Sequence, residues 1–228
     1  MDNFRTTNMT ATFQLWISTS SICLSVLHLL LSMINLAVRV NWYQLLSKHG
    51  INTEYNPHKF HAIVQRCQLK NSSITALIFK SGRVVLTGGT TPEECRKGAL
   101  RVCRRVNHAV YKDLKETRLR AFAVYHFKIQ NMACAFKCKH QLALEKMYDD
   151  YIKNPHHFNI SGWKEKMTYR PTSFTAVRLN YQLQNKKIAL IIFINGNVTL
   201  SGFKKEEDSL LFAHEFYDKI LVKYIRTS

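Results

Sequence analysis

The chain is short of acidic residues. Only 15 Asp and Glu stand against 33 Lys and Arg among 228 residues, so the formal net charge is +18. Such a surface attracts polyanions, which makes nucleic acid the first candidate partner and an anionic membrane surface the second. Hydrophobic residues form 46% of the chain, and this content excludes a disordered basic tail. The length suits one large domain or two small ones.

The sequence also lacks the closely paired cysteines of common zinc sites. Its six cysteines include no Cys-x-x-Cys pair and no framework typical of a short secreted chain, so reduced thiols are expected. Cys134, Cys138 and His140 have a spacing compatible with a metal site. Alternation along a strand places all three on the face of Met132 and Phe136, which favours core packing. We therefore predict no metal and no other cofactor.

A third absence is that of charge between residues 14 and 38, which include no Lys, Arg, Asp or Glu. The run could span a bilayer or form the apolar part of a signal peptide. Ser and Thr interrupt its first half, His28 interrupts its second half, and no clear cleavage site follows. A membrane or secreted binding module is kept as an alternative. Four sequons that suit it lie at Asn8, Asn71, Asn159 and Asn197.

A repeat organises the remainder of the chain. "TALIFKSGRVVLTG" (75–88) returns as "ALIIFINGNVTLSG" (189–202), 114 residues later, and "YNPHKF" (55–60) returns as "YRPTSF" (169–174) at the same offset. "NLAV" at Asn35 is echoed more weakly by "NMAC" at Asn131. Two homologous halves follow from these matches. The predicted segments are a variable apolar segment (1–34), a first repeat (35–110), a basic linker (111–126) and a second repeat (127–226).

Each repeat has the same predicted layout. A strand begins at the Asn and leads into a short helix, at 41–50 in the first repeat and within 141–153 in the second. A strand and a hairpin with a Gly at its turn come next. A long helix ends the repeat. In the first repeat Thr91, Pro92 and Glu94 form a capping box with Pro at the first helical position. The buried stripes are predicted as Cys95, Ala99, Val102 and Val106 in the first repeat, and Leu210, Ala213, Phe216 or Tyr217, and Ile220 in the second.

Both faces of the duplicated hairpin are largely apolar. One face, with Ala76, Ile78, Val84 and Leu86, can lie under the helices. An antiparallel sheet covered by helices on one side normally has a polar second face. Here the second face is apolar, so either a third layer covers it, for which the N-terminal apolar run is the one obvious candidate, or it is a binding surface. In a basic chain it suits the DNA minor groove, where Phe wedges unstack base steps and Asn amides donate to A·T acceptors.

These motifs resemble those of the TATA-binding protein family, "EYNPKRF", "TALIF-SGK-V-TGA" and "DFKIQN". The chain has "EYNPHKF" (54–60), "TALIFKSGRVVLTGG" (75–89) and "HFKIQN" (126–131). The resemblance covers about residues 35–226. It implies an α+β fold, a two-repeat saddle whose curved antiparallel sheet has helices on its convex face. It also implies a nuclear, non-enzymatic initiation factor, monomeric on DNA, that binds and bends promoter DNA and nucleates assembly of the preinitiation complex.

The resemblance also assigns residues by position. Two pairs of Phe match the family's kinking residues, two Asn match its central Asn, and the others match its groove contacts. These minor-groove residues are Asn35, Phe60, Leu77, Phe79, Val85, Thr87, Asn131, Phe174, Ile191, Phe193, Thr199 and Ser201. The phosphate contacts that it implies are Arg66, Arg83 and Lys204.

Departures from the family pattern indicate a divergent TATA-binding-protein-related factor. Ala37, Ala133 and Thr199 replace Val, while Asn180 and Asn197 replace basic residues. Strict TATA preference is therefore not implied.

The segment before Phe174 departs as well. The family's Tyr-Glu-Pro-Glu-Leu-Phe becomes "YRPTSF" (169–174). In the family the two Glu and the Leu help dock factor IIB. Because this chain lacks all three, factor IIA is expected as a partner in preference to factor IIB. A paralogue that binds proteins but little DNA is a further alternative. The saddle is also fused to catalytic domains in DNA glycosylases, but this chain has no room for one and no catalytic constellation.

Overall fold

The computed structural model describes residues 1–17, 42–70, 72–112, 122–160 and 162–226. These residues form two compact units. The first-repeat unit contains residues Met9–Ile129, and the second-repeat unit contains Met1–Asn8 together with Gln130–Ser228. The long first strand of each repeat therefore belongs in part to both units.

The first-repeat unit is an antiparallel sheet with two helices. The elements are β1 (Asp2–Ile17), α1 (Trp42–His49), β2 (Thr53–Glu54), β3 (Ala62–Gln68), β4 (Ser73–Phe79), β5 (Arg83–Gly89) and α2 (Pro92–Tyr111). The strands have the spatial order β2-β3-β4-β5-β1. Helix α2 packs on this sheet, and Tyr43 of α1 donates its hydroxyl to the Ile78 carbonyl at 3.0 Å.

The second-repeat unit repeats this architecture. The elements are β6 (Phe122–Lys137), α3 (Leu144–Lys153), β7 (Lys164–Arg170), β8 (Phe174–Leu183), β9 (Lys186–Phe193), β10 (Asn197–Phe203) and α4 (Glu206–Lys219). The strands have the order β6-β10-β9-β8-β7, and neighbouring strands are antiparallel. Short 3-10 helices follow α3 at Pro155–Phe158 and α4 at Leu221–Tyr224.

The hairpins of the two units have the same register. Leu77 lies opposite Val85 in the first unit, and Ile191 lies opposite Thr199 in the second. Both turns contain a glycine in the left-handed region, with φ of 81° at Gly82 and 84° at Gly196. That conformation is strained for any residue with a Cβ. The α+β class and the duplicated hairpin predicted from the sequence are thus confirmed.

Helix α2 begins at the predicted N-cap, Thr91, but the second half of the capping box differs, because the Glu94 carboxylate bonds to Thr90, one residue before the N-cap. Oγ1 of Thr91 accepts the Glu94 N–H at 3.1 Å, and the Glu94 carboxylate accepts the N–H and the hydroxyl of Thr90 at 3.0 and 2.9 Å. These hydrogen bonds, first the one from the Thr90 N–H, lower the pKa of Glu94. The predicted stripe of Cys95, Ala99, Val102 and Val106 is buried. In α4 the prediction for Leu210 is wrong, since it is exposed while Ser209 and Phe212 are buried.

The N-terminal residues differ most from the predicted layout. The expected boundaries leave residues 1–34 outside both repeats, whereas residues 2–17 form strand β1, which pairs with β5. The strand expected from Asn35 lies outside the described residues, as do most of the apolar run and most of the predicted linker. Among the described residues, no helix has both the length and the apolar character needed to cross a membrane.

Candidate nucleic-acid interface

Each hairpin separates its side chains into a covered face and an open face. In the first-repeat unit Ala76, Ile78, Val84 and Leu86 are fully buried. The alternate residues are only half-buried, as the period of two requires. We call this second face of each unit its open face. It is formed by Leu77, Phe79, Val85 and Thr87 in the first-repeat unit and by Ile191, Phe193, Thr199 and Ser201 in the second-repeat unit.

A pair of phenylalanines lies at one end of each open face. The rings of Phe60 and Phe79 are 6.4 Å apart at 66°, and those of Phe174 and Phe193 are 6.2 Å apart at 61°. Phe60 is 44% exposed, although a ring of this size usually finds cover in the core. Within each predicted pair the two rings therefore meet edge to face, and the two pairs, 114 residues apart in the sequence, have the same geometry. Each pair forms an apolar wedge at the surface.

Asn131 is held on the open face of the second-repeat unit by a backbone donor. Its Oδ1 accepts the N–H of Gly202 at 2.8 Å. An N–H can only donate, so the bonded side-chain atom is the oxygen and the Nδ2 group is available to a ligand. Gly202 has φ of 113°, and a Cβ there would collide with the Lys187 carbonyl. The glycine is therefore required for this approach.

Asn8 occupies the matching place on β1, the strand that pairs with β5, and the sequence reasoning missed it. Ala11 lies opposite Leu86 in the first unit, as Cys134 lies opposite Leu200 in the second. In each pairing one glycine has no residue directly opposite it, Gly88 in β5 and Gly202 in β10, and the two glycines occupy equivalent positions. Asn8 and Asn131 each lie three residues before the matched position. The available signal was "NMTATF" (8–13) against "NMACAF" (131–136), an offset of 123 rather than 114 residues.

The predicted phosphate contacts are exposed basic residues. Arg83 and Lys204 are exposed, and Arg66 extends from β3 with Nη1 3.1 Å from Oε2 of Glu54. Both partners of this ion pair are more than half exposed, so the pair is weak and a phosphate can replace the carboxylate. In the second-repeat unit the exposed Asn180 lies at the position of Arg66. At this position the first-repeat unit therefore has a basic residue, whereas the second-repeat unit has a neutral one.

The cysteines of β6 belong to the core. Cys134 and Cys138 are fully buried, as predicted, while His140 is exposed after the end of the strand. Burial raises the pKa of Cys138 to about 11, and that of Cys103 to about 11 as well, so these thiols remain protonated. No group of three potential metal ligands is found among the described residues.

Arg178 is a second residue that the sequence reasoning missed. It lies on β8 opposite Ile191, where β3 of the first-repeat unit has Val64 opposite Leu77. Its guanidinium carbon is 4.2 Å from the centroid of the Phe174 ring. The open faces are thus alike in their wedges and amides but differ beside one wedge. Alignment of the repeats at the offset of 114 residues shows this difference.

Comparison with known proteins gives one consistent result. The sequence model of the family "Transcription factor TFIID (or TATA-binding protein, TBP)" matches residues 30–109 and 126–222. The first matched range begins after β1. Its residues 30–41 lie outside the described residues, and the structure has β1 beside β5.

Individual relatives agree with this family match. The chain is 30% identical over 203 residues to TATA-box-binding protein 1 of Triticum aestivum, covering 87% of this chain and 74% of that protein. It is 29% identical over 183 residues to the TATA-box-binding protein of Tetrahymena thermophila, covering 78% and 62%. For TATA box-binding protein-like 2 of Homo sapiens the identity is 28% over 179 residues, covering 78% and 45%. The chain thus spans about half to three quarters of the length of these relatives.

A solved structure shows the same fold. Methanococcus jannaschii TBP superimposes with a TM-score of 0.55 over 96% of this chain and 98% of that chain, at 23% identity.

Proposed function

Because the chain belongs to the TATA-binding protein family, we propose that it is a nuclear transcription initiation factor that binds the minor groove of A·T-rich DNA. Each unit would bind one half of a short duplex through its open face, and each pair of Phe would wedge between base steps and bend the duplex. The protein would then nucleate assembly of the preinitiation complex as a monomer on DNA. No catalytic step is part of this function.

One observation supports this proposal above all others. The two open faces present the same chemistry, an aromatic wedge at one end and an Asn at a matched position. The minor groove of A·T pairs presents only the acceptors N3 of adenine and O2 of thymine. A mostly apolar surface with few amide donors complements those groups, whereas the guanine amino group would meet an apolar surface or another donor. The net charge of +18 adds attraction to the phosphates.

Protein partners follow from the residues at the surface. Arg170, Thr172 and Ser173 are exposed beside the Phe174 wedge. In the family, two acidic residues and one apolar residue at these positions contact factor IIB. We propose that this chain recruits general transcription factors on DNA, and that it binds factor IIA in preference to factor IIB.

The proposal is tested with duplexes in which the chemical groups of the minor groove and those of the major groove are changed separately. Fluorescence anisotropy would measure the affinity for three duplexes of one length, with A·T pairs, G·C pairs or inosine·cytosine pairs at the centre. Inosine lacks the amino group of guanine, so its pairs resemble A·T in the minor groove and G·C in the major groove. We expect the inosine duplex to bind within about threefold of the A·T duplex, and the G·C duplex to bind at least about tenfold more weakly.

A major-groove protein would instead group the inosine duplex with the G·C duplex. That result would contradict the proposal. Absence of binding to all three duplexes at low salt would favour the alternative of a paralogue that acts through protein partners.

A further inference from the structure

A cation lies on the Phe174 wedge, whereas no described residue places one on the Phe60 wedge. The guanidinium of Arg178 lies over the Phe174 ring at 4.2 Å. Stacking of this kind restricts the arginine and leaves the edge of its planar group, with its five N–H donors, directed away from the ring. The side chain is exposed and makes no salt bridge with any described residue. Its donors are therefore available to a ligand.

The position of Arg178 places these donors on the open face. Residues directly opposite each other in an antiparallel pair point to the same side of the sheet. Arg178 lies opposite Ile191 of β9 and Thr168 of β7, and Ile191 is an open-face residue. The matched residue of the first-repeat unit, Val64, lies opposite Leu77 and can offer only apolar contact.

The minor groove is a suitable environment for such a group. Arginine inserted into it meets a negative potential, which is strongest where the groove is narrow and rich in A·T pairs. Adenine N3 and thymine O2 accept hydrogen bonds there, and hydrogen bonds from a charged donor are stronger than those from a neutral amide. The stacked ring would bring the guanidinium to the base pairs next to the kink.

We propose that Arg178 is a base-contacting residue that donates from the guanidinium to minor-groove acceptors beside the Phe174 wedge. This inference rests on the proposed function. The second-repeat unit then binds its half of the site through a charged donor, where the first-repeat unit uses the apolar Val64. The two halves of the DNA site are consequently recognised by different chemistry, and the asymmetry can fix the orientation of the protein on the site.

The test removes single acceptors from the DNA. In a duplex that the wild type binds, each adenine in turn is replaced by 3-deazaadenine, which has C–H in place of N3. Affinities are measured for the wild type, for Arg178→Val, which installs the residue of the other unit, and for Val64→Arg, its converse. Arg178→Lys keeps the charge and loses the planar stack. Thermal melting of each variant verifies that the exposed substitution leaves the fold intact.

We expect at least one position in one half of the site where 3-deazaadenine weakens wild-type binding about tenfold. That sensitivity should fall below about twofold in Arg178→Val and be only partly retained in Arg178→Lys. Val64→Arg should create a new sensitive position in the other half.

Two results would overturn the inference while the proposed function stands. One is an unchanged pattern of 3-deazaadenine sensitivity in Arg178→Val together with a salt slope lower by about one unit, because that combination identifies a phosphate contact. The other is tighter binding by Arg178→Val at every duplex, which would mean that the cation hinders the wedge. Failure of the wild type to bind any A·T-rich duplex would be a different outcome, since it would contradict the proposed function itself.

Discussion

The backbone N–H of Gly202 donates to Oδ1 of Asn131 over 2.8 Å, and this hydrogen bond sets the direction of the side-chain amide. Because Oδ1 already accepts this hydrogen bond, Asn131 presents the N–H donors of its Nδ2 group at the surface. A minor groove of A·T pairs offers acceptors only, so the two surfaces are complementary. The same bond would hold an Asp in place equally well, which makes the site suitable for a substitution that changes chemistry with little change in shape.

Asn131→Asp should weaken binding to A·T-rich DNA by at least about tenfold, and by more than Asn131→Ala does. The carboxylate can still accept from Gly202, but it has no donor and carries a negative charge towards the DNA. Anisotropy titrations would measure the effect. Asn159→Asp is the control, because Asn159 also accepts a backbone N–H, that of Gly162 at 3.0 Å, and it lies outside the open face. Its Nδ2 group donates to the Trp163 carbonyl at 2.7 Å, so thermal melting must show that this variant is folded. Equal losses in Asn131→Asp and Asn159→Asp would contradict a local role for the amide.

The salt dependence of binding should differ between the two units. Removing Arg66 and Arg83 should lower the slope of log affinity against log salt by about one unit for each lost phosphate contact. Replacing Asn180 and Asn197 by Arg should steepen it. Titrations at four or more salt concentrations would measure both slopes.

The control for this experiment removes charge from the helices. Lys146 and Lys219 are exposed residues of α3 and α4, so their replacement by Ala should change the slope much less. A slope that responds equally to the loss of these lysines would mean that the basic residues act through net charge alone.

Recruitment of factor IIB should be weak and recoverable. Arg170 and Thr172 replace the two acidic residues of the family pattern, and Ser173 replaces its Leu. Since the facing surface of factor IIB is basic, like charge at this interface can cost several kcal/mol, or about a hundredfold in affinity. Arg170→Glu with Thr172→Glu and Ser173→Leu should restore binding in a gel supershift titration. Complexes of the wild type as tight as those of the triple variant would be inconsistent with this account.

The capping box of α2 should make stability depend on pH. The folded state lowers the pKa of Glu94 from its ordinary value near 4.5. Its contribution is therefore present above that value and is lost as the pH falls through the lowered one. Glu94→Gln should destabilise the protein by up to about 1 kcal/mol at neutral pH, and the difference should vanish in acid.

Urea unfolding at several pH values between 7 and 2 would measure how this difference decreases. Glu207→Gln, in the first turn of α4, changes the same charge near a helix N-terminus. A pH-independent difference for Glu94→Gln, or an equal difference for Glu207→Gln, would show that the capping carboxylate has no special contribution.

Much of the fold follows from local patterns in the sequence. Alternation in the hairpin assigns Ile78 to the covered face and Leu77 to the open face, and the spacing of Thr91 and Glu94 marks the start of α2. These features depend on residues close together in the chain. Because the motifs recur at a constant offset of 114 residues, the elements predicted in the first half are predicted in the second half as well.

Other features depend on pairings that the sequence does not display. The strand containing Asn8 lies 123 residues before its counterpart, and the apolar run that begins at residue 14 suggested an anchor, although its first residues belong to β1. The role proposed for Arg178 depends on the pairing of β8 with β9 and on the Phe174 ring under its guanidinium. Cross-strand neighbours and ring contacts of this kind are set by tertiary packing.

We claim that both pairs of Phe bend DNA as wedges, and the end-to-end distance of the bound DNA is the measurement that decides. A duplex with a fluorescent donor and acceptor at its ends would be saturated with the wild type or with a variant in which Phe60, Phe79, Phe174 and Phe193 are Ala. We predict that the wild type shortens the distance, that each double variant shortens it less, and that the quadruple variant leaves saturated DNA nearly straight. Equal shortening by the wild type and the quadruple variant would contradict the claim.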